Sequence, residues 1–153
     1  YLHAVDCQFP ELARLRTLPG IGEILAPVIW SERGTLERFC SAEAWVNYTG
    51  LVPSLYESGE VSIRGGITHQ GSAWVRWALV QAANSVIQGV SPLARRYRRL
   101  RRRKPANVAK TAVARSLARC VYGVLKSGGN YQEARWGRRP TGVVRSLEQA
   151  SLR

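Results

Sequence analysis

Apolar side chains recur every three or four positions along most of this chain, the repeat of a helix with one buried face. Leu12, Leu15 and Leu18 predict a short helix over residues 11–18, broken at Pro19-Gly20. A second helix is predicted over residues 22–32, ending near Gly34. Pro27 sits inside it, removes a backbone donor and should bend or shorten it. Ser41 reads as the N-cap of a third helix and Gly50 as its C-cap. Val75, Leu79, Ala82, Ala83 and Val86 form an apolar stripe over residues 72–88. Ser91-Pro92 has the form of an N-cap and a first-turn proline, opening a helix to about residue 103. Pro105 ends it and starts another over residues 106–126. Val108, Ala109, Ala112, Val113, Leu117, Cys120, Val121 and Val124 give that helix its expected buried face, and Gly128-Gly129 closes it.

Residues 51–71 break the pattern. Pro53, Gly59, Gly65, Gly66 and Gly71 interrupt them, which predicts a loop or small hairpin with Val61 and Ile63 as strand residues. A loop of this length in a compact domain is usually functional. The expected fold is mainly α: one domain over residues 1–128, with a helix-hairpin-helix at about residues 11–34 and a Gly-rich functional loop or small hairpin. A basic, weakly patterned tail follows over residues 129–153.

A length of 153 residues and 45% hydrophobic content fit one folded domain and exclude a mainly disordered chain. No apolar run approaches the roughly 20 residues of a membrane span, and no signal pattern is present. A membrane partner is therefore not expected, and a cytoplasmic, nucleoid-associated location is. No Met occurs anywhere, so the chain reads as a piece of a longer protein. Cys7, Cys40 and Cys120 match no zinc spacing and read as reduced thiols.

Charge adds the first functional constraint. Residues 1–90 hold six Lys/Arg and eight Asp/Glu, a net of −2; residues 91–153 hold seventeen and two, a net of +15. That asymmetry points to a polyanion, and nucleic acid fits it better than a membrane surface. The densest part is Arg95, Arg96, Arg98, Arg99, Arg101, Arg102, Arg103 and Lys104. Arginine suits bidentate phosphate contacts, and on a helix these charges are expected to surround the axis. Lys110, Arg115 and Arg119 are expected to extend the surface. The segment Leu18-Pro19-Gly20-Ile21-Gly22, between two helices, has the form of a helix-hairpin-helix turn. The amides at Gly20 and Gly22 would then meet a phosphate at the start of a helix.

The carboxylates argue by their scarcity. One Asp and nine scattered Glu make no cluster for two-metal phosphoryl transfer, and two histidines make no metal site, so no metal is expected in this chain. Cleavage of nucleic acid would then need a covalent nucleophile or a metal supplied elsewhere. Ser58, in the Gly-rich segment, is a candidate nucleophile, with Arg64, His69 and Arg76 the nearest cations in sequence to stabilise phosphate charge.

In order, the chain carries Leu18-Pro-Gly-Ile-Gly22, Phe39-Cys-Ser41, Tyr48-Thr-Gly-Leu-Val-Pro53, Ser58-Gly59, Gly66-Ile-Thr-His-Gln-Gly71 and Val75-Arg76. This ordered set resembles the C-terminal transposase domain of bridge-RNA-guided insertion-sequence transposases, serine recombinases with an N-terminal RuvC-like domain. The match covers about residues 12–126. The resemblance implies that Ser58 is the nucleophile that forms a phosphoserine link to DNA. It also implies donor and target DNA, a structured guide RNA and a homo-oligomer as partners. Mg²⁺ is expected in the missing RuvC-like domain, with no cofactor in this chain. His69 stands where that family commonly has lysine, and Gly66 where it commonly has arginine. The alternative is a non-catalytic, structure-specific DNA- or RNA-binding helix-hairpin-helix module.

Overall fold

The computed structural model describes residues 8–58, 61–67 and 71–132, the strand residues by their backbone alone. Among these residues six α-helices run in order: α1 (Pro10–Arg16), α2 (Leu25–Arg33), α3 (Ala42–Tyr48), α4 (Ala73–Gln88), α5 (Pro92–Arg101) and α6 (Ala106–Ser127). A two-stranded antiparallel ribbon, β1 (Pro53–Ser58) and β2 (Val61–Ile67), lies between α3 and α4.

The caps follow from residue chemistry. Ser41, Ser72 and Ser91 each hold extended backbone, and their hydroxyls accept the amides of Ala44, Val75 and Ala94 at 3.1–3.2 Å. Pro92 is the first helical residue of α5, where its missing N–H costs nothing. Gly128 takes the left-handed conformation at φ 65° and closes α6 by donating to the Val124 carbonyl at 3.1 Å.

Helix α6 is the axis of the domain. It packs against α1, α3, α4 and α5, while α4 also covers α2. At 22 residues it is about 33 Å long, enough to touch every layer. Leu15, Leu18, Ile29, Trp45, Leu51, Leu79 and Leu117 are fully buried in one core. Each such leucine stabilises the fold by about 1.5–3 kcal/mol relative to exposure. Polar ties fix α3 on α6: Trp45 Nε1 donates to the Ala118 carbonyl at 2.9 Å. Beside it, the Tyr122 hydroxyl donates to the Phe39 carbonyl at 3.2 Å.

Several expectations need correction. The second helix starts at Leu25 rather than about Gly22 and is nine residues long, the shortening expected of Pro27, which falls in its first turn, where nothing forces a bend. The first helix ends at Arg16, leaving Leu18 buried in the turn. Val108 is 51% exposed rather than buried. It lies about 100° around the helix from Ala109, off the Ala109–Val113–Leu117–Cys120–Val124 stripe. The segment from residue 129 is not loose at its start: the Tyr131 amide donates to Thr17 Oγ1 at 2.8 Å. Residues 133–153 lie outside the described set.

Candidate nucleic-acid interface

The turn between α1 and α2 is a β-turn closed by the Ile21 amide on the Leu18 carbonyl at 3.2 Å. Pro19 presets its first corner, and Gly20, at φ 79°, supplies the second. Leu18 and Ile21 are buried and hold the turn down. The two glycines differ in setting. A Cβ at Gly20 would collide with the Ala82 carbonyl oxygen and come within 2.9 Å of Val86 Cγ2, so Gly20 lets the turn seat on α4. Gly22 has open space around it, and Gly22, Glu23 and Ile24 are exposed just ahead of α2. Glu23 brings a carboxylate to the helix start where a phosphate was expected.

The ribbon is longer than Val61 and Ile63 alone would make it. Its register pairs Ser58 with Val61, Glu57 with Ser62, Tyr56 with Ile63 and Leu55 with Arg64, with an irregularity between Pro53 and Leu55. Ser58 is the last residue of β1, at the end away from the helices that flank the ribbon in sequence. Arg64 pairs with position 55, three residues from Ser58, so positions 58 and 64 are out of phase in the two-residue strand repeat. The side chains of Ser58 and Arg64, and all of Gly59 and His69, lie outside the described residues.

The root of the ribbon is locked. Gly71, at φ 93°, presses so closely on α3 that a Cβ would overlap the Tyr48 carbonyl. The Ser72 amide donates to that carbonyl at 3.1 Å. Ser72 Oγ donates to Glu32 Oε2 at 2.7 Å, and the Tyr48 hydroxyl donates to the Glu32 carbonyl at 3.1 Å. One turn into α4 stands Arg76, half-buried, whose Nη1 is fully buried and has no hydrogen-bond partner among the described residues.

The basic run occupies α5 and the turn after it. Leu93 and Ala94 are buried, and Tyr97 and Leu100 half-buried, so the helix has an apolar side. The charges therefore do not surround the axis: Arg95, Arg98, Arg99, Arg101, Arg102, Arg103 and Lys104 are exposed, and Arg96 is half-buried. The Leu93–Tyr97–Leu100 spacing, hidden among arginines, is what sets this face. The run divides in two. Arg95 Nη1 donates to the Val90 carbonyl at 3.2 Å, Arg98 Nη2 to the Gly89 carbonyl at 2.6 Å and Arg101 Nη1 to the Lys104 carbonyl at 3.1 Å. Arg99, Arg102, Arg103 and Lys104 make no such side-chain bond among the described residues.

No acidic residue neutralises this helix from nearby in sequence: residues 61–132 contain no Asp or Glu. Arg115 and Arg119 do not extend the free surface. Both engage Glu43, Arg119 through Nε and Nη2 at 2.8 and 3.1 Å and Arg115 at 3.6 Å. Glu43 is 57% exposed, so this cluster contributes at most about 1 kcal/mol.

Other chemistries find little support in these residues. Burial pushes the Cys120 thiol up to about 12, against a smaller opposing pull from Arg119, which makes it a poor nucleophile at neutral pH. Among the described residues no three His, Cys, Asp or Glu side chains gather to hold a metal ion. No described helix is long and apolar enough to cross a membrane.

Residues 12–99 match the family described as Transposase IS116/IS110/IS902 family. A putative transposase y4rJ of Sinorhizobium fredii is 37% identical over 81 residues, which are 53% of this chain and 20% of that protein. The transposase for insertion sequence element IS1328 of Yersinia enterocolitica is 34% identical over 119 residues, 75% of this chain and 36% of that protein. A probable family 20 transposase of Pseudomonas aeruginosa is 28% identical over 119 residues, 75% of this chain and 35% of that protein. The chain thus spans between a fifth and about a third of the length of these relatives.

Proposed function

The chain belongs to the Transposase IS116/IS110/IS902 family, and from that premise we propose that it is the nucleophile-bearing, nucleic-acid-binding part of an RNA-guided DNA recombinase. Ser58 Oγ attacks a DNA phosphorus. A P–Oγ bond forms, the bond from phosphorus to a deoxyribose oxygen breaks, and the departing oxygen takes up a proton. A hydroxyl of the second DNA then attacks the phosphoserine, rejoining the strand and releasing Ser58. One ester replaces another at each step, so no external energy is needed.

The observation that carries this reading is the ribbon itself. Ser58 ends β1 at the far end of a ribbon whose root is fixed to Tyr48 and Glu32. A nucleophile offered to a bulky duplex needs reach from the domain and a fixed base. Arg76 stands near that root, about 17 Å of strand from Ser58, and meets a different phosphate of the bound nucleic acid. Arg64, out of phase with Ser58 along the ribbon, contacts a neighbouring phosphate, and His69 assists in the same segment. The exposed arginines of α5 hold DNA or RNA backbone.

The Mg²⁺ expected for such a reaction does not fit this chain's own described residues, which bring no carboxylate cluster together, so none of the steps above runs through it. We place it in a RuvC-like domain of the longer protein, which acts as a homo-oligomer with donor DNA, target DNA and a structured guide RNA.

The test is a covalent adduct. Full-length protein, its RNA, Mg²⁺ and both DNAs are incubated, and the denatured products are mapped by mass spectrometry. The expected result is a phosphodiester link on Ser58; an adduct that persists in Ser58→Ala overturns the assignment. The open space at Gly22, ahead of α2, favours a second reading as a non-catalytic helix-hairpin-helix module that holds a duplex by its phosphates. That reading predicts full activity of Ser58→Ala and weakened duplex binding by Gly22→Val.

A further inference from the structure

Helix α4 has a side that no part of the transposition reading uses. Its inner side, Val75, Ala78, Leu79, Ala82, Ala83 and Val86, is buried. On the outer side Trp74 and Trp77 are 63% and 44% exposed, followed by Gln81, Asn84, Ser85 and Gln88. The two indoles meet edge to face, centroids 6.3 Å apart at 82°, rather than stacking face on face.

We propose that this outer side of α4 is a base-contact surface, on which Trp74 and Trp77 stack unpaired nucleobases while the amides and hydroxyl beyond them meet base edges. Two tryptophans in water on one turn are costly and mark a binding surface. The rest of the face carries no charge of either sign, although the next helix is loaded with arginine. A solvent face is ordinarily charged or polar, and two exposed indoles depart from that pattern. Indole, carboxamide and hydroxyl groups instead suit bases, whose faces stack on aromatics and whose edges pair with Asn and Gln.

The ends of the face say what lies along it. At the α4 N-terminus Arg76 holds its buried, unpartnered Nη1. At the C-terminus Arg98 and Arg95 are tied to the Gly89 and Val90 carbonyls. The uncharged strip runs from Trp74 to Gln88, about 21 Å, and the arginines of α5 begin beyond its C-terminal end. That length matches roughly six stacked nucleotides at 3.4 Å each. Residues 61–132 contain no Asp or Glu, and the carboxylate at the α4 N-cap, Glu32, is engaged by Ser72 Oγ at 2.7 Å. The inference stands apart from the Ser58 nucleophile, since it needs only nucleic-acid binding.

The test uses the 153-residue chain and three short labelled strands of equal length: oligo(rU), oligo(dT) and an abasic deoxyribose-phosphate strand. Anisotropy at several salt concentrations gives affinity and salt slope. The wild type should prefer at least one base-bearing strand over the abasic strand by about tenfold or more. Which of the two shows it identifies the strand as RNA or DNA. Trp74→Ala/Trp77→Ala should abolish the preference, leave abasic binding and salt slope unchanged, and leave the thermal transition in place. Trp74→Phe/Trp77→Phe should retain most of the preference. Equal binding of all three strands by the wild type, or an undiminished preference in the double alanine variant, overturns the proposal. So does a wild-type dimer that the alanine variant dissociates in sedimentation, because the face then belongs to a second copy.

Discussion

Ser72 Oγ donates a 2.7 Å hydrogen bond to Glu32 Oε2 while accepting the Val75 amide at 3.2 Å, so one hydroxyl caps α4 and ties it to α2. This double use sets Ser72 apart from Ser91, which caps α5 through the Ala94 amide at 3.2 Å. Ser91→Ala should cost about 1 kcal/mol, the usual loss for a cap. Ser72→Ala should cost about 1 kcal/mol more, since a charged acceptor also loses its donor. Denaturant midpoints of the two variants give the comparison. Equal losses would mean that the Glu32 contact adds nothing.

Three glycines that look alike in sequence should respond differently. Gly71 and Gly20 have positive φ and press on the Tyr48 and Ala82 carbonyls, whereas Gly22 has ordinary φ and open space. Gly71→Ala and Gly20→Ala should each destabilise by about 1–3 kcal/mol or more. Gly22→Ala should be neutral or stabilise by about 0.4–1 kcal/mol. Thermal melts decide this, and a well-folded Gly22 variant then allows a clean test of phosphate binding at the turn.

Cys120 should make stability fall at high pH. Its thiol is raised from 9.0 to about 12 in the folded chain by burial. Above pH 9 the unfolded chain releases this proton and the folded chain keeps it, so the stabilising contribution is complete below pH 9 and is lost as pH rises toward 12. In a Cys7→Ser background at pH 8, a thiol reagent should label exposed Cys40 quickly and Cys120 only through unfolding. Rapid labelling of both would contradict the burial.

The helices were legible in the sequence because their signals are local. Ser41, Ser72, Ser91, Pro92 and Gly128 act as caps within a few residues, and the apolar stripes of α4 and α6 repeat over several turns. What stayed hidden depends on partners distant along the chain. Gly20 resembles a phosphate-binding glycine until α4 is seen against it. Arg115 and Arg119 look like free cations until Glu43, more than seventy residues earlier, is placed beside them. Pro27 was legible as a shortening residue, and the helix starts two residues ahead of it without a bend being required. Trp74 and Trp77 stand three residues apart, opposite the apolar stripe, and only their exposure makes them a surface. The proposed role of Ser58 rests on the ordered motifs and the ribbon, because no local pattern separates it from a serine in any Gly-rich turn.

The arginine run should separate into a binding set and a structural set. Arg95 and Arg98 donate to the Val90 and Gly89 carbonyls, just past the end of α4, where a cation also opposes the negative end of the helix dipole. Arg99, Arg102 and Arg103 are exposed on α5 and the turn after it and make no such bond among the described residues. Replacing Arg99, Arg102 and Arg103 with Ala should leave the melting temperature unchanged. It should reduce the steepness of the log Kd against log salt plot by about one for each phosphate that is no longer neutralised. Replacing Arg95 and Arg98 should lower the melting temperature instead, with a smaller change in salt slope for the same or a lesser loss of charge. If both sets changed binding equally and neither changed stability, α5 would act as an undifferentiated cloud of charge. The carbonyl hydrogen bonds would then carry no weight in positioning it against α4.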